Sequence, residues 1–318
     1  MTVPPTGYRG RLPQLAGGLF MTDGGMETTL IFRDGLELPS FAAFDLLKDT
    51  TGIDAIRRYF EPYVATARDY GVGLILDSPT WRANPDWGKK LGYTAAELDQ
   101  ANRKGVALIE EIRSANDAGL APIVLSGCVG PRGDGYRPTE MMTAADAERY
   151  HAVQIATLSE TAADMVTALT IPYVEEAIGI ARASRRIGMP VVVSFTVETD
   201  GRLPSGQRLK DAIAQVDADT DGTPSYFMIN CAHPTHFAAV LEYGEPWVDR
   251  IRGLRANASR KSHAELDQAT ELDAGDPADL GAQYRTLRPR LRNVNVVGGC
   301  CGTDERHVAE VCRAWRDG

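Results

Sequence analysis

The sequence predicts a single (β/α)8 barrel of the TIM type, one domain over residues 1–318. Three observations predict it. Eight short apolar runs recur along the chain. Between them lie amphipathic stretches with apolar residues at helical spacing. Several of those stretches stop at Gly or Pro and pass at once into buried-strand sequence. Eight such units close a parallel sheet into a ring with the helices outside. A doubly wound open sheet would leave two edges and normally uses fewer strands.

The elements follow in order. The first strand is expected over Gly18–Thr22 and the second over Gly73–Asp77, with a helix at Asp54–Tyr70 stopped by Gly71. A long helix at Ala95–Ala118 ends at Gly119 and feeds a third strand, Pro122–Ser126. Helix Ala144–Ala163 precedes a fourth strand, Asp164–Leu169, and helix Val174–Ile187 precedes a fifth, Pro190–Thr196, through Gly188. Helix Leu209–Asp217, strand Tyr226–Cys231, helix Pro234–Leu241 and strand Ile251–Asn257 come next. The polar, acidic stretch Ser259–Asp279 reads as a long loop, and Gly130–Pro138, rich in Gly and Arg, as a loop after the third strand. Strand Asn293–Gly299 and helix Asp304–Arg316 close the chain.

Composition narrows the function classes. The chain is 43% hydrophobic and carries a net charge of −9, which argues against a nucleic-acid partner. No apolar run is long enough to span a bilayer, so no membrane partner is expected either. The N-terminus lacks the charged start and apolar stretch of a secretory signal. The five cysteines include an adjacent pair, which forms a mutual disulfide only with strain. A reduced, cytoplasmic setting is therefore expected. No Gly-x-Gly-x-x-Gly fingerprint is present, so a Rossmann-type nucleotide site is not expected.

The chemistry lies in the cysteines. Cys231 ends the sixth strand, within Asn230-Cys231-Ala232-His233-Pro234, and Cys300 and Cys301 follow the eighth, within Gly298-Gly299-Cys300-Cys301-Gly302-Thr303. A barrel carries its active site at the C-terminal ends of its strands. Three thiols from strands six and eight therefore converge there, and the flanking glycines let the backbone turn tightly enough for both adjacent side chains to face one ion. Three thiolates hold Zn2+ with one position open. Such a zinc carries a formal charge near −1 and is a poor activator of water; it suits a substrate thiol, whose pKa it lowers. A fourth protein ligand would make the zinc structural; His233 is the nearest candidate, or else a helix-start residue. Cys312 reads as core, and Cys128 sits in a strand-end loop.

These residues resemble the homocysteine S-methyltransferase family, the zinc-dependent group that includes betaine– and S-methylmethionine–homocysteine methyltransferases. The resemblance covers nearly the whole chain. It rests on Asp23-Gly24-Gly25-Met26, Ser126–Pro131, Thr170-Ile171-Pro172 with Glu175-Glu176-Ala177, Ser194-Phe195, Asn230-Cys231 and Gly298–Thr303. It implies a (β/α)8 barrel in which Cys231, Cys300 and Cys301 hold the zinc. It also implies methyl transfer from a small sulfonium or quaternary ammonium donor to a bound thiol, homocysteine or a relative of it. Asp23 matches the aspartate that helps hold the amino-acid substrate. Glu27 stands where many relatives have glycine. Asp77, Trp81, Gly127, Gly130, Thr170 and Asn257 complete the candidate pocket, Trp81 as a ring for a cationic donor and the two glycines as backbone N–H donors to a carboxylate.

One position departs from the pattern. Relatives carry a glutamate before the strand-four threonine, where it would grip the ammonium of homocysteine; this chain has Leu169. Either the acceptor is not plain homocysteine, or Glu27 or Asp77 replaces the missing carboxylate. Two readings compete with the methyltransferase: redox chemistry at the vicinal cysteines, and a structural zinc in a barrel acting through Asp23, Asp77 and Glu198.

Overall fold

A computed structural model describes residues 7–116, 121–241 and 244–317. Eight parallel strands close a ring in sequence order, β1 pairing with β8. They are β1 Phe20–Met21, β2 Gly73–Asp77, β3 Ile123–Val129, β4 Met165–Ile171, β5 Val191–Phe195, β6 Tyr226–Asn230, β7 Ile251–Ala256 and β8 Val296–Gly299. The alternation of β2 shows how the sequence builds the ring. Ile75 joins the barrel-interior cluster with Phe20, Val124, Met165, Val192, Tyr226 and Val296, while Leu74 and Leu76 pack outward against the helices.

The helix stops act as expected. Helix Thr50–Tyr70 begins where the Asp49 carboxylate accepts the Gly52 N–H and ends on Gly71 in the left-handed region. Helix Val174–Ile187 ends on left-handed Gly188. The bottom of the barrel is sealed by the N-terminal segment: Leu12 packs into the interior cluster and Arg9 donates to the carbonyls of Ser159, Thr161 and Ala163.

Three expectations are corrected. β3 and β4 run on past Ser126 and Leu169, so Cys128 lies inside β3 and faces the barrel interior rather than a loop. The stretch after β7 is not all loop. Ser262 builds a capping box on helix His263–Asp267, and Asp276 with Pro277 starts helix Pro277–Leu287. Helix Ala144–Ser159 ends earlier than its pattern suggested. The predicted helix end at Asp117 and Ala118, with its stop at Gly119, lies outside the described residues. Among the described residues, no helix is long and apolar enough to cross a membrane.

Candidate metal centre and active site

Cys231 directly follows β6, and Cys300 and Cys301 directly follow β8. The Sγ atoms of Cys231 and Cys301 are 3.6 Å apart, and all three sulfurs lie within 4.8 Å of one another. A disulfide would need about 2.0 Å. Three thiolates on one tetrahedral zinc, each about 2.3 Å from it, stand about 3.8 Å apart. The spacing fits a shared ion. Among the described residues no further His, Cys, Asp or Glu joins the group. His233 does not: its ring caps the short helix Pro234–Phe237 by accepting the Thr235 N–H. The close sulfur pair is Cys231 with Cys301, across two strands.

Local backbone geometry brings the sulfurs together. Cys231 has φ +55°, a left-handed conformation that costs a non-glycine residue about 1–2 kcal/mol. Its N–H donates to the Arg255 carbonyl, and its own carbonyl lies 2.6 Å from His263 Nε2. The second loop is fixed by Thr303, whose N–H and Oγ1 both donate to the Cys300 carbonyl, and by left-handed Gly302, whose N–H donates to Thr28. Gly25 lies directly against this loop; a Cβ there would meet the Cys300 carbonyl oxygen at 2.6 Å.

The thiols are electrostatically coupled. Hydrogen bonds from Cys300, Cys301 and Tyr136 hold the Cys231 thiol well below its usual range. Facing that sulfur pushes Cys300 up to about 12 and Cys301 upward as well. The Cys231 thiolate thus opposes ionisation of the other two thiols, which a divalent cation held between them would favour.

Sequence reading missed the groups that surround the sulfurs. Tyr136, carried by the loop after β3, donates its phenol to Cys231 Sγ at 3.2 Å and lies 4.0 Å from Cys301 Sγ. Its ring packs on His263, centroids 4.1 Å apart, and His263 Nδ1 is 3.1 Å from Glu198. Burial opposes charge on His263, but Glu198 and the Cys231 carbonyl raise its pKa above the ordinary value. Glu198 is thereby engaged as an ion partner.

Arg255 is the largest omission. This inward residue of β7 is 4% exposed, and its guanidinium bridges Asp23 and Asp77 while donating to the Gly299 carbonyl. Tyr59 donates to the other Asp23 oxygen at 3.0 Å. Burial still lifts Asp23 to about 6, against the pull of Arg255 and with a further push from Asp77. Burial lifts Asp77 too, again opposed by Arg255. The signal was present in the sequence: a charged residue inside an apolar strand needs a partner, and two strand-end aspartates were available.

Residues 20–315 match the family model described as homocysteine S-methyltransferase. The chain belongs to the homocysteine S-methyltransferase family. It is a thiol S-methyltransferase. Homocysteine S-methyltransferase 4 of Zea mays is 22% identical over 95% of this chain and 91% of its own length. Homocysteine S-methyltransferase YbgG of Bacillus subtilis (strain 168) is 22% identical over 93% of this chain and 94% of its own. Among solved structures, the metallated form of the homocysteine methyltransferase MmuM from Escherichia coli superposes with a TM-score of 0.72 at 20% identity, covering 93% of this chain and 96% of that one.

Within this homocysteine S-methyltransferase family member, the remaining predicted residues separate. Asp23, Asp77 and Thr170 stand at strand ends around the mouth, and Asn257 follows β7 with its Oδ1 buried and without a hydrogen bond. Trp81 donates to the Leu169 carbonyl, and the Arg82 guanidinium already lies 4.9 Å over its ring. Gly130 abuts Trp81, where any side chain would clash. Gly127 is a correction: it sits in the β3 ladder opposite Val166, and its Cα faces Leu158 in the helix layer, away from the pocket. Leu169 faces the barrel interior at the end of β4.

Proposed function

We propose that this enzyme moves a methyl group from a small sulfonium or quaternary ammonium donor to the sulfur of a homocysteine-type thiol, with Zn2+ held by Cys231, Cys300 and Cys301. The observation that carries it is the meeting of three sulfurs from two strand ends at the C-terminal mouth of the barrel. Zinc, when bound, supplies a Lewis acid that lowers the pKa of an acceptor thiol while leaving its sulfur electron-rich.

The chain's own residues orient and enclose. The acceptor thiol has released its proton to solvent before the site closes; its sulfur forms a bond to the methyl carbon as the bond from that carbon to the onium centre breaks, and the neutral donor leaves. Asn230 and Thr303 fix the two cysteine loops. Tyr136 and Trp81 wall the mouth and exclude water from the thiolate. Asp23 and Asp77, tied to Arg255, form a rigid polar floor. Thr170 and Asn257 edge the same space. A single domain of 1–318 carries this site, and a reducing, cytoplasmic setting suits three clustered thiols.

The test is metal analysis of the purified protein, followed by mass spectrometry of products from a panel of thiols and onium donors. About one zinc per chain is expected. Cys301→Ala is expected to fold, to retain little metal and to lose methyl transfer. Full activity in a metal-free sample, or in Cys301→Ala, overturns the proposal.

A further inference from the structure

The ionisable groups around the sulfurs divide into those already satisfied and those that are not. Asp23 and Asp77 share the single guanidinium of Arg255, and Glu198 pairs with His263. Two side chains, Glu27 and Arg82, remain without an ion partner among the described residues.

Glu27 stands in the first turn after Gly25, which docks that turn onto the Cys300 carbonyl. The residue is half-buried, and its carboxylate makes no ion pair and takes a hydrogen bond only from its own N–H. The charges it feels are those of Cys300, Asp23 and Arg82, and burial raises its pKa to about 7. Arg82 is clamped between indoles, its guanidinium 3.9 Å from the ring of Trp87 and 4.9 Å from that of Trp81. One terminal nitrogen donates to the Ser40 carbonyl, yet the Nε–H is buried without a partner. Burial lowers the Arg82 pKa, and the charges it feels are those of Glu27, Tyr136, Asp134 and Cys301. Asp134 is exposed and its Oδ1 is taken by the N–H groups of Tyr136 and Arg137.

So two opposite charges stand at the site without closing a salt bridge, Glu27 in the turn docked on the Cys300 carbonyl and Arg82 against the ring of Trp81. Charges withdrawn from water and left unpaired are expensive. A ligand that carries both signs on one carbon would satisfy both at once. An acceptor whose sulfur lies at the cysteines and whose far end is an α-amino acid has that form.

We infer that Glu27 and Arg82 form the recognition pair for a zwitterionic amino-acid thiol, Glu27 receiving its α-ammonium and Arg82 its α-carboxylate. This rests on the methyltransferase reading only for the placement of sulfur. Asp77 gives one oxygen to Arg255 and keeps the other buried without a hydrogen bond, so Asp77→Asn is the control that separates it from Glu27 as the ammonium partner. Leu169 closes the remaining side with apolar surface.

Two readouts keep the inference separate from that reading. In turnover, the zinc-loaded enzyme is offered homocysteine, 4-mercaptobutanoate (no ammonium) and 3-aminopropane-1-thiol (no carboxylate). In calorimetry, L-methionine and its deaminated analogue 4-(methylthio)butanoate are titrated, which needs no methyl transfer. The wild-type protein is expected to favour the zwitterion by roughly 10- to 150-fold in each assay, the loss of one charge-assisted hydrogen-bonded contact. Glu27→Gln is expected to bring the homocysteine to 4-mercaptobutanoate ratio to within about 3-fold, and Arg82→Met to do the same against 3-aminopropane-1-thiol. If Glu27→Gln misfolds by circular dichroism, Glu27→Ala combined with Leu169→Glu is expected to restore the preference. Ratios unchanged in folded variants of Glu27 and Arg82 overturn the inference. Absence of turnover with intact discrimination in calorimetry would overturn the methyltransferase reading and leave the recognition pair standing.

Discussion

Replacing Arg255 with Met tests whether the floor of the site is an ion triad or a packing element. Asp23, Asp77 and Arg255 are 3%, 5% and 4% exposed, so solvent cannot stand in for a missing partner. Removing one member of a buried, hydrogen-bonded ion group costs about 3–5 kcal/mol, because the remaining charges are left uncompensated. Unfolding entropy of about 2.1 cal/mol/K per residue gives about 0.7 kcal/mol/K for this chain, so the melting temperature is expected to fall by about 4–7 °C at neutral pH.

The pH dependence separates electrostatics from packing. Without Arg255 the two carboxylates repel each other in a dry site, and their folded pKa values rise further above the unfolded value. An acid whose folded pKa is raised binds more protons folded than unfolded, so stability falls as pH rises through that interval. Asp23 at about 6 already gives the wild-type protein some of this loss, between roughly pH 4 and 6. Arg255→Met extends it upward. The deficit of the variant, measured by thermal denaturation, is expected to grow from pH 5 to pH 8. Adding Asp23→Asn and Asp77→Asn removes both charges and is expected to recover most of the loss. An equal deficit at pH 5 and pH 8, or no recovery in the triple variant, would refute the reasoning.

Two further outcomes follow from the loops that carry the cysteines. Burial would raise the Asp304 carboxyl, but hydrogen bonds from His307 and Arg306 outweigh it and hold it well below the usual range. A depressed acid stabilises the fold above its unfolded pKa, and the contribution disappears as pH falls through the folded one. Asp304→Asn is therefore expected to cost about 1–2 kcal/mol in urea unfolding at pH 7 and progressively less below about pH 4; a deficit that persists undiminished to pH 2 would contradict the assignment. Gly25→Ala places a methyl group against the Cys300 carbonyl, and overpacking of this kind costs about 1–3 kcal/mol. Lower zinc content and a lower melting temperature are expected together, and a variant unchanged in both would show that the contact yields freely.

The barrel was legible because its signals are local and repeated. Gly71 and Gly188 end their helices in the left-handed region, and the strands that follow are short apolar runs. The cysteine cluster was legible because a closed ring brings strand ends six and eight together whatever the loops do. What escaped depends on loop conformation or on partners distant in sequence. Tyr136 enters through an irregular loop with no period to read. Arg255 is explained only by carboxylates 232 and 178 residues away. Helix Pro277–Leu287 did announce itself, with Asp at the cap and Pro in the first turn, but the acidic stretch before it hid the start.

Asn230 shows why an asparagine precedes the first cysteine. Thr170, at φ +63°, and Cys231, at φ +55°, are both left-handed without being glycine. The Asn230 carboxamide lies between them. Its Oδ1 accepts the Thr170 N–H and the Ser194 hydroxyl, and its Nδ2 donates to Thr170 Oγ1 and approaches Cys300 Sγ at 3.8 Å. One side chain therefore binds the ends of β4, β5 and β6 and faces the loop after β8. A carboxylate could not make the donor contacts, and a smaller polar group could not reach both neighbours. Each left-handed residue costs about 1–2 kcal/mol; the two bonds between the Asn230 amide and Thr170 are of the size needed to hold Thr170, while the Arg255 carbonyl and His263 hold the Cys231 backbone. The strain turns Cys231 out of the strand direction and toward Cys301, so the pair Asn230-Cys231 works as one unit. The asparagine ties the end of β6 to Thr170 and Ser194, and the cysteine that follows, held by Arg255 and His263, uses its left-handed turn to reach the other two sulfurs.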